Sequence, residues 1–236
     1  MRIDVSTLAI ASPAGKGHTP QERARPSWLR YDFLTLDALA ADVARLLAEI
    51  PSSPLRRAAL DLGSSASPYR GFLEERGFSV TTLDVEAGAD YVGTAEKTGL
   101  PDQSYDLVVC TQVLEHCADP WQALHEIRRI LRPGGHLLVS APHVWFFHPH
   151  PKDHWRFTQQ GLAHLCERAG LNVRALLSQG GTVLAAAQVA NFLLYGMLGK
   201  LGAPLFAILN LVALPLDCLL RNDRFCVNFA CLAQRS

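Results

Sequence analysis

Two apolar runs, each closing on a polar residue at a set distance, constrain this chain more than any other feature. The first covers residues 58–62 and breaks into the small-residue turn Gly63-Ser-Ser-Ala-Ser67. The second covers 79–83 and ends on Asp84, about twenty residues beyond Gly63. A strand, a tight turn, a helix and a second strand ending on a carboxylate make a βαβ unit. In such a unit the turn brings backbone close to a ligand, and the carboxylate meets a ribose diol. Gly63 is the one glycine present of those usual in such a turn, so residues further along the chain have to identify the ligand.

The alternation continues. Leu36, Leu39, Val43, Leu46, Leu47 and Ile50 recur at helical spacing before Pro51 and Pro54. Strands are predicted over 57–62, 80–84, 91–93 and 105–110, the last apolar enough to be buried on both faces. A short helix over 69–76 stops at Gly77. Asp119-Pro120 opens a helix, with Asp119 as cap and Pro120 at the first helical position. Pro133-Gly134-Gly135 ends it, and strands come next over 136–141, 172–177 and 225–233, with a helix over 159–169 capped by Thr158. The expected fold is α/β: a mostly parallel sheet with helices on both faces. Residues 1–27, rich in proline and glycine, read as a flexible leader, and Asp4 interrupts any secretory signal. Residues 28–236 read as one domain.

Composition excludes some functions. Lys+Arg and Asp+Glu are both 22, so no long-range field draws a phosphate backbone, and a nucleic-acid partner is not expected. The six cysteines include no CxxC pair, and several lie in apolar runs. Free thiols of that kind suit a reducing, cytoplasmic setting.

Residues 183–220 break the rhythm, with Lys200 and Asp217 as their only charges. They read as two apolar helices around 199–204, of roughly 24 and 27 Å, each short of the about 30 Å of a bilayer core. Such a helical insertion can pack on the domain, join two copies as a homodimer, cover an apolar substrate, or make a peripheral membrane contact.

At Gln112-Val-Leu-Glu-His116 and Leu131-Arg-Pro-Gly-Gly135 the chain resembles the class I S-adenosylmethionine-dependent methyltransferases, in particular the type 11 small-molecule subfamily. The resemblance covers roughly residues 55–180. It takes in Leu60-Asp-Leu-Gly63, Asp84, Gly93-Thr-Ala-Glu96 and the stretch from Asp106 to His116. One branch also has counterparts of His148-Pro-His150 and Trp155-Arg-Phe-Thr158. The resemblance implies a Rossmann-like seven-stranded sheet with its last strand antiparallel, the apolar insertion lying before that strand. It implies S-adenosyl-L-methionine as cofactor and a small-molecule acceptor. Backbone around Gly63, Ser64 and Ser65 would approach the cofactor's amino acid and ribose. Asp84 would take both ribose hydroxyls, with Val85 beside it. Thr94, Ala95 and Glu96 would border the adenine, and Thr111 and Gln112 would line the methionine end. Thr94 stands where the family often has an acid. Asp61 reads equally as a structural acceptor for the turn and as a cofactor contact. Ser65 and Ser67 are expected to avoid positive φ, which costs a non-glycine residue about 1 kcal/mol or more.

For acid–base work the candidates are His116, His143 and His150. Gln112, Glu115 and His116 are expected on one helical face. In similar ubiquinone-type O-methyltransferases a Glu-x-x-Glu-His set holds a divalent ion. Here Gln112 takes the place of the first acid, which removes one charge. His148, His150, Asp153 and His154 match no established zinc spacing, so no metal is expected. Trp145, Phe146, Phe147 and Trp155, interleaved with these histidines, read as walls of a substrate loop. The expected reaction is methyl transfer to oxygen, nitrogen or carbon of a hydrophobic acceptor. The alternative is a non-catalytic scaffold of the same fold that dimerises or meets a membrane through 183–220.

Overall fold

The computed structural model describes residues 19–64, 66–148 and 151–236. Its strands are β1 Arg57–Leu62, β2 Phe78–Asp84, β3 Tyr91–Val92, β4 Tyr105–Thr111, β5 Leu131–Pro142, β6 Leu171–Gln179 and β7 Asn228–Arg235. Its helices are α1 Pro20–Ala24, α2 Phe33–Ala48, α3 Arg70–Glu75, α4 Pro120–Ile130, α5 Gln159–Arg168, α6 Thr182–Leu198 and α7 Ala203–Leu219. The sheet order is β3-β2-β1-β4-β5-β7-β6. β7 runs antiparallel between β5 and β6, and the other neighbours are parallel. This is the expected Rossmann-like sheet, with the apolar insertion before the last strand.

Strand alternation sends successive side chains to opposite layers. Leu60, Val108, Cys110, Leu137 and Val139 share a core with Leu124 and Ile127 of α4 and Leu162 of α5. Ala59, Leu107, Val109 and Leu138 share the other with Leu39, Val43 and Leu46 of α2 and Leu73 of α3. Full burial of one such aliphatic side chain is worth about 1.5–3 kcal/mol. Two-sided burial is therefore what makes β4 an unbroken apolar run.

Three local departures have physical reasons. β5 begins at Leu131 rather than at 136, because Tyr105 pairs Leu131 before the register jumps to Leu107 with His136. Pro133-Gly134-Gly135 is thus a bulge inside a strand pairing, with Pro133 and Gly134 exposed and Gly135 buried. A Cβ on Gly135 would lie 2.9 Å from the Arg132 carbonyl, which is why the bulge closes on glycine. Of the expected leader, residues 1–18 lie outside the described residues, and Pro20–Ala24 form a helix closed by a Thr19–Glu22 capping box. Ser67 has φ 42°, against the expectation that it stays out of the left-handed region.

The insertion is a helical hairpin, and its buried polar groups tie it to the domain. Asn191 Nδ2 donates to Asn210 Oδ1 at 2.8 Å, and Asn210 Nδ2 donates to the Trp28 carbonyl at 2.8 Å. Gln188 Nε2 donates to the Tyr31 carbonyl at 2.8 Å. Asp217 of α7 caps α6, accepting from the N–H groups of Gly181 (2.8 Å) and Leu184 (3.0 Å). The Phe146 and Phe192 rings stack at 4.3 Å, and Tyr31 stacks on Tyr195 at 4.1 Å. The outer face leaves Met197, Leu201, Leu205, Ile208, Leu211 and Leu219 exposed.

Candidate functional site

The carboxyl edge of the sheet gathers the polar residues. Gly63, just past β1, donates its N–H to the Leu83 carbonyl at 2.7 Å. That bond fastens the first turn to the end of β2, beside Asp84. Gly63 has φ 76°, and a Cβ there would sit 2.3 Å from a Val113 methyl. Both the backbone conformation and the neighbour demand glycine. Asp84 Oδ1 accepts from the Glu86 N–H at 3.1 Å, and Val85 next to it is exposed.

Asp61 is fully buried, and its Oδ2 accepts from Ser67 Oγ at 2.8 Å while Oδ1 has no hydrogen-bond partner. Burial pushes its carboxyl up to about 7, with the Ser67 bond pulling the other way. Ser64 Oγ accepts from the Ser67 N–H at 2.9 Å. The serines of this turn therefore bond one another and Asp61, with Ser65 outside the described residues.

Thr94 and Glu96 stiffen the next loop. Thr94 Oγ1 accepts from the Lys97 N–H at 3.1 Å, and Glu96 Oε1 accepts from the Ala118 N–H at 2.9 Å. Ala95 between them is buried. Thr111, also buried, ends β4. Gln112 comes next at φ 57° and bridges to β5: its N–H reaches the Ser140 carbonyl at 2.9 Å and its Nε2 reaches Ser140 Oγ at 3.1 Å. Strained backbone of this kind concentrates at functional sites.

Gln112 does not join Glu115 and His116 on a helix, as the spacing had suggested. The left-handed kink separates it from a 3-10 turn, Leu114–His116. That turn instead meets the segment after β5. The N–H groups of His154 and Trp155 donate to the Glu115 carbonyl at 2.8 and 3.3 Å, and Trp155 Nε1 donates to the Cys117 carbonyl at 2.9 Å. The His116 and His148 rings lie 5.1 Å apart at 87°. Glu115 is 1% exposed, and its Oε2 has no hydrogen-bond partner. Burial pushes its carboxyl up to about 8. Burial also lowers the His116 imidazole, against the raising effect of the Lys152 carbonyl at Nδ1. Burial acts to raise the Asp153 carboxyl, but the Arg156 guanidinium and the His148 N–H and charge bring it below the usual range.

His143 Nδ1 lies 3.0 Å from the Phe157 carbonyl, leaving Nε2 as the basic nitrogen. His150 lies outside the described residues. Trp145 and Phe146, expected as walls of a substrate loop, instead pack on the hairpin through Phe192. Trp155 packs edge-on to Trp121 at 5.6 Å. The Asp61–Ser67 bond and the meeting of Glu115 with His148 had no local sequence signal. Each joins positions whose approach depends on the fold.

Residues 60–139 match the family described as a methyltransferase domain. An uncharacterized methyltransferase of Mycobacterium bovis is 36% identical over 148 residues, covering 58% of this chain and 52% of that protein. Malonyl-[acyl-carrier protein] O-methyltransferase of Serratia marcescens is 33% identical over 116 residues, covering 44% and 46%. The alignments span about half, or less, of the length of the curated relatives the chain matches. Among solved structures, phosphoethanolamine N-methyltransferase 2 of Haemonchus contortus, in complex with S-adenosyl-L-methionine, has a TM-score of 0.56 at 14% identity. It covers 93% of this chain and 60% of that one, a likeness of fold.

Proposed function

We propose that this chain, whose residues 60–139 match a methyltransferase domain, is a class I S-adenosylmethionine-dependent methyltransferase that transfers the donor's methyl group to a small-molecule acceptor. The observation that carries this reading is the bond from the Gly63 N–H to the Leu83 carbonyl, which sets an open backbone turn against the Asp84 carboxylate. The exposed backbone of Gly63 and the buried Asp61 Oδ1, which has no hydrogen-bond partner, fit the amino-acid and ribose part of such a donor. Asp84 would take the ribose hydroxyls. Exposed Val85 and buried Ala95 would flank the adenine, with Thr94 and Glu96 holding their loop in place. Thr111 and Gln112 would border the methionine end. The donor brings a methyl group already activated on a sulfonium. The protein's part is therefore to align the acceptor and exclude water. His143, with its Nδ1 turned to the Phe157 carbonyl, would receive an acceptor proton at Nε2.

The acceptor in this reading is hydrophobic. The outer face of α6 and α7 is apolar, and the hairpin leaves the carboxyl end of β6, the same edge as the crevice. Among the described residues, one stretch, Thr182–Leu219, is long and apolar enough to cross a membrane by length and composition. Its two limbs fold back on each other, which suits a peripheral contact with an apolar surface better than a span. A non-catalytic scaffold is the second reading, favoured by the Ser67 hydroxyl being turned inward onto Asp61 rather than toward a ligand.

Calorimetry with S-adenosylmethionine separates the two. Micromolar binding that Asp84→Ala abolishes supports the enzyme, and a flat titration supports the scaffold. Labelled methyl incubated with a cell extract should then enter the organic phase, and label confined to the aqueous phase would refute the hydrophobic acceptor.

A further inference from the structure

Glu115, His116 and His148 each offer a donor atom within 4.8 Å of the other two, and we propose that these three side chains bind a divalent transition-metal ion. They come from two segments that the fold brings together, the 3-10 turn after β4 and the segment after β5. The backbone bonds from His154 and Trp155 to the Glu115 carbonyl hold those segments in register.

The two histidines are oriented as metal ligands are. His116 Nδ1 bonds the Lys152 carbonyl. His148 Nδ1 lies 3.0 Å from the Phe146 carbonyl and 3.3 Å from Asp153 Oδ2. In each ring the proton sits on Nδ1, toward an oxygen, and Nε2 keeps its lone pair. A ligating histidine shows this outer-shell pattern, in which a carbonyl or carboxylate fixes the tautomer. His116 Nε2 lies 3.9 Å from Glu115 Oε1.

Glu115 supplies the independent observation. A carboxyl group buried to 1% exposure with one oxygen lacking any hydrogen-bond partner is costly in the absence of a cation or donor. The nearby guanidinium of Arg156 does not serve it, because that group is committed to Asp153. A cation between Glu115 and the two Nε2 atoms resolves the deficit. Bonds of about 2.0–2.2 Å in a tetrahedral site bring ligand atoms to about 3.4 Å apart, so side-chain shifts of roughly 1 Å close the site.

Two imidazoles and one carboxylate favour zinc, iron or a similar ion over the oxygen-seeking magnesium and calcium. The set differs from a Glu-x-x-Glu-His arrangement, because Gln112 is kinked away onto Ser140 and His148 takes part instead. Three protein ligands leave a coordination position open. Resting on the methyl-transfer reading, that position would hold an acceptor oxygen and lower its proton affinity.

The test is calorimetric titration of the chelator-stripped, full-length protein with Zn2+, and of the same protein with Co2+ read by its visible ligand-field bands. One equivalent should bind. Glu115→Gln and His148→Ala should each weaken binding at least about tenfold, while His164→Ala, on the exposed face of α5, should not. X-ray absorption of the zinc-loaded wild type should show two imidazoles and an oxygen ligand, a readout that needs no folded variant. Absence of binding, a stoichiometry unchanged in the Glu115→Gln/His148→Ala double variant, or a ligand count without two imidazoles would overturn the site. S-adenosylmethionine titrations of the stripped protein run alongside. Retained donor binding with no metal binding would sink the metal site alone, and metal binding without donor binding would sink the methyl-transfer reading alone.

Discussion

Gly63 carries two constraints in one residue, a left-handed backbone and a Val113 methyl 2.3 Å from where a Cβ would stand. Gly63→Ala is expected to lower stability by about 1–3 kcal/mol and to weaken S-adenosylmethionine binding. Denaturant midpoints and calorimetry read the two effects. Adding Val113→Ala should restore part of the stability, the part due to the clash. Asp61 gives a pH signature. Its folded carboxyl titrates at about 7 because of burial, against an ordinary value of about 4. The native state therefore holds a proton that the unfolded chain has lost between those values. The stability it contributes is full below the ordinary range and is lost as pH rises through about 7. Thermal unfolding of Asp61→Asn between pH 5 and 8 should fall less steeply than wild type, and an equal slope would refute the assignment. Gly63 and Asp84 were legible in the sequence because strand ends and turn residues follow short-range rules. The left-handed Ser67 was not, since a serine enters that region only when a partner such as Asp61 rewards it.

At the scale of elements, the hairpin depends on a cap borrowed from its other limb. Asp217, in α7, accepts the free N–H groups of Gly181 and Leu184 at the start of α6. Asp217→Ala leaves both unpaired at a buried helix end, and an expected loss of about 1–3 kcal/mol should appear as a lower thermal midpoint with loosened Tyr31–Tyr195 stacking in near-ultraviolet dichroism. The two apolar helices were plain from composition. Their docking onto Trp145, Phe146 and Tyr31 was not, because aromatic residues beside histidines read equally well as a ligand wall. The bulge at Pro133-Gly134-Gly135 was hidden for a related reason: proline and glycine mark a break in direction without saying whether pairing resumes on the same neighbour.

For the whole molecule, the balance of charge gives no field, but the hairpin gives the surface a side. Ile208 and Leu211 stand 59% and 68% exposed on its outer face. Wild-type protein is expected to float with anionic lipid vesicles in a density gradient, and Ile208→Glu/Leu211→Glu to stay at the bottom with its fold and donor binding intact. Wild type that remains with the soluble fraction would refute the contact. The last pair of strands carries a further consequence. Gln179 at the end of β6 and Asn228 at the start of β7 face each other across an antiparallel ladder, so everything between them departs from and returns to one spot. The appendage is topologically a side branch. A relative could lengthen it, exchange it or reduce it to a short reverse turn, and thereby change its address or clientele without re-threading a single strand of the sheet.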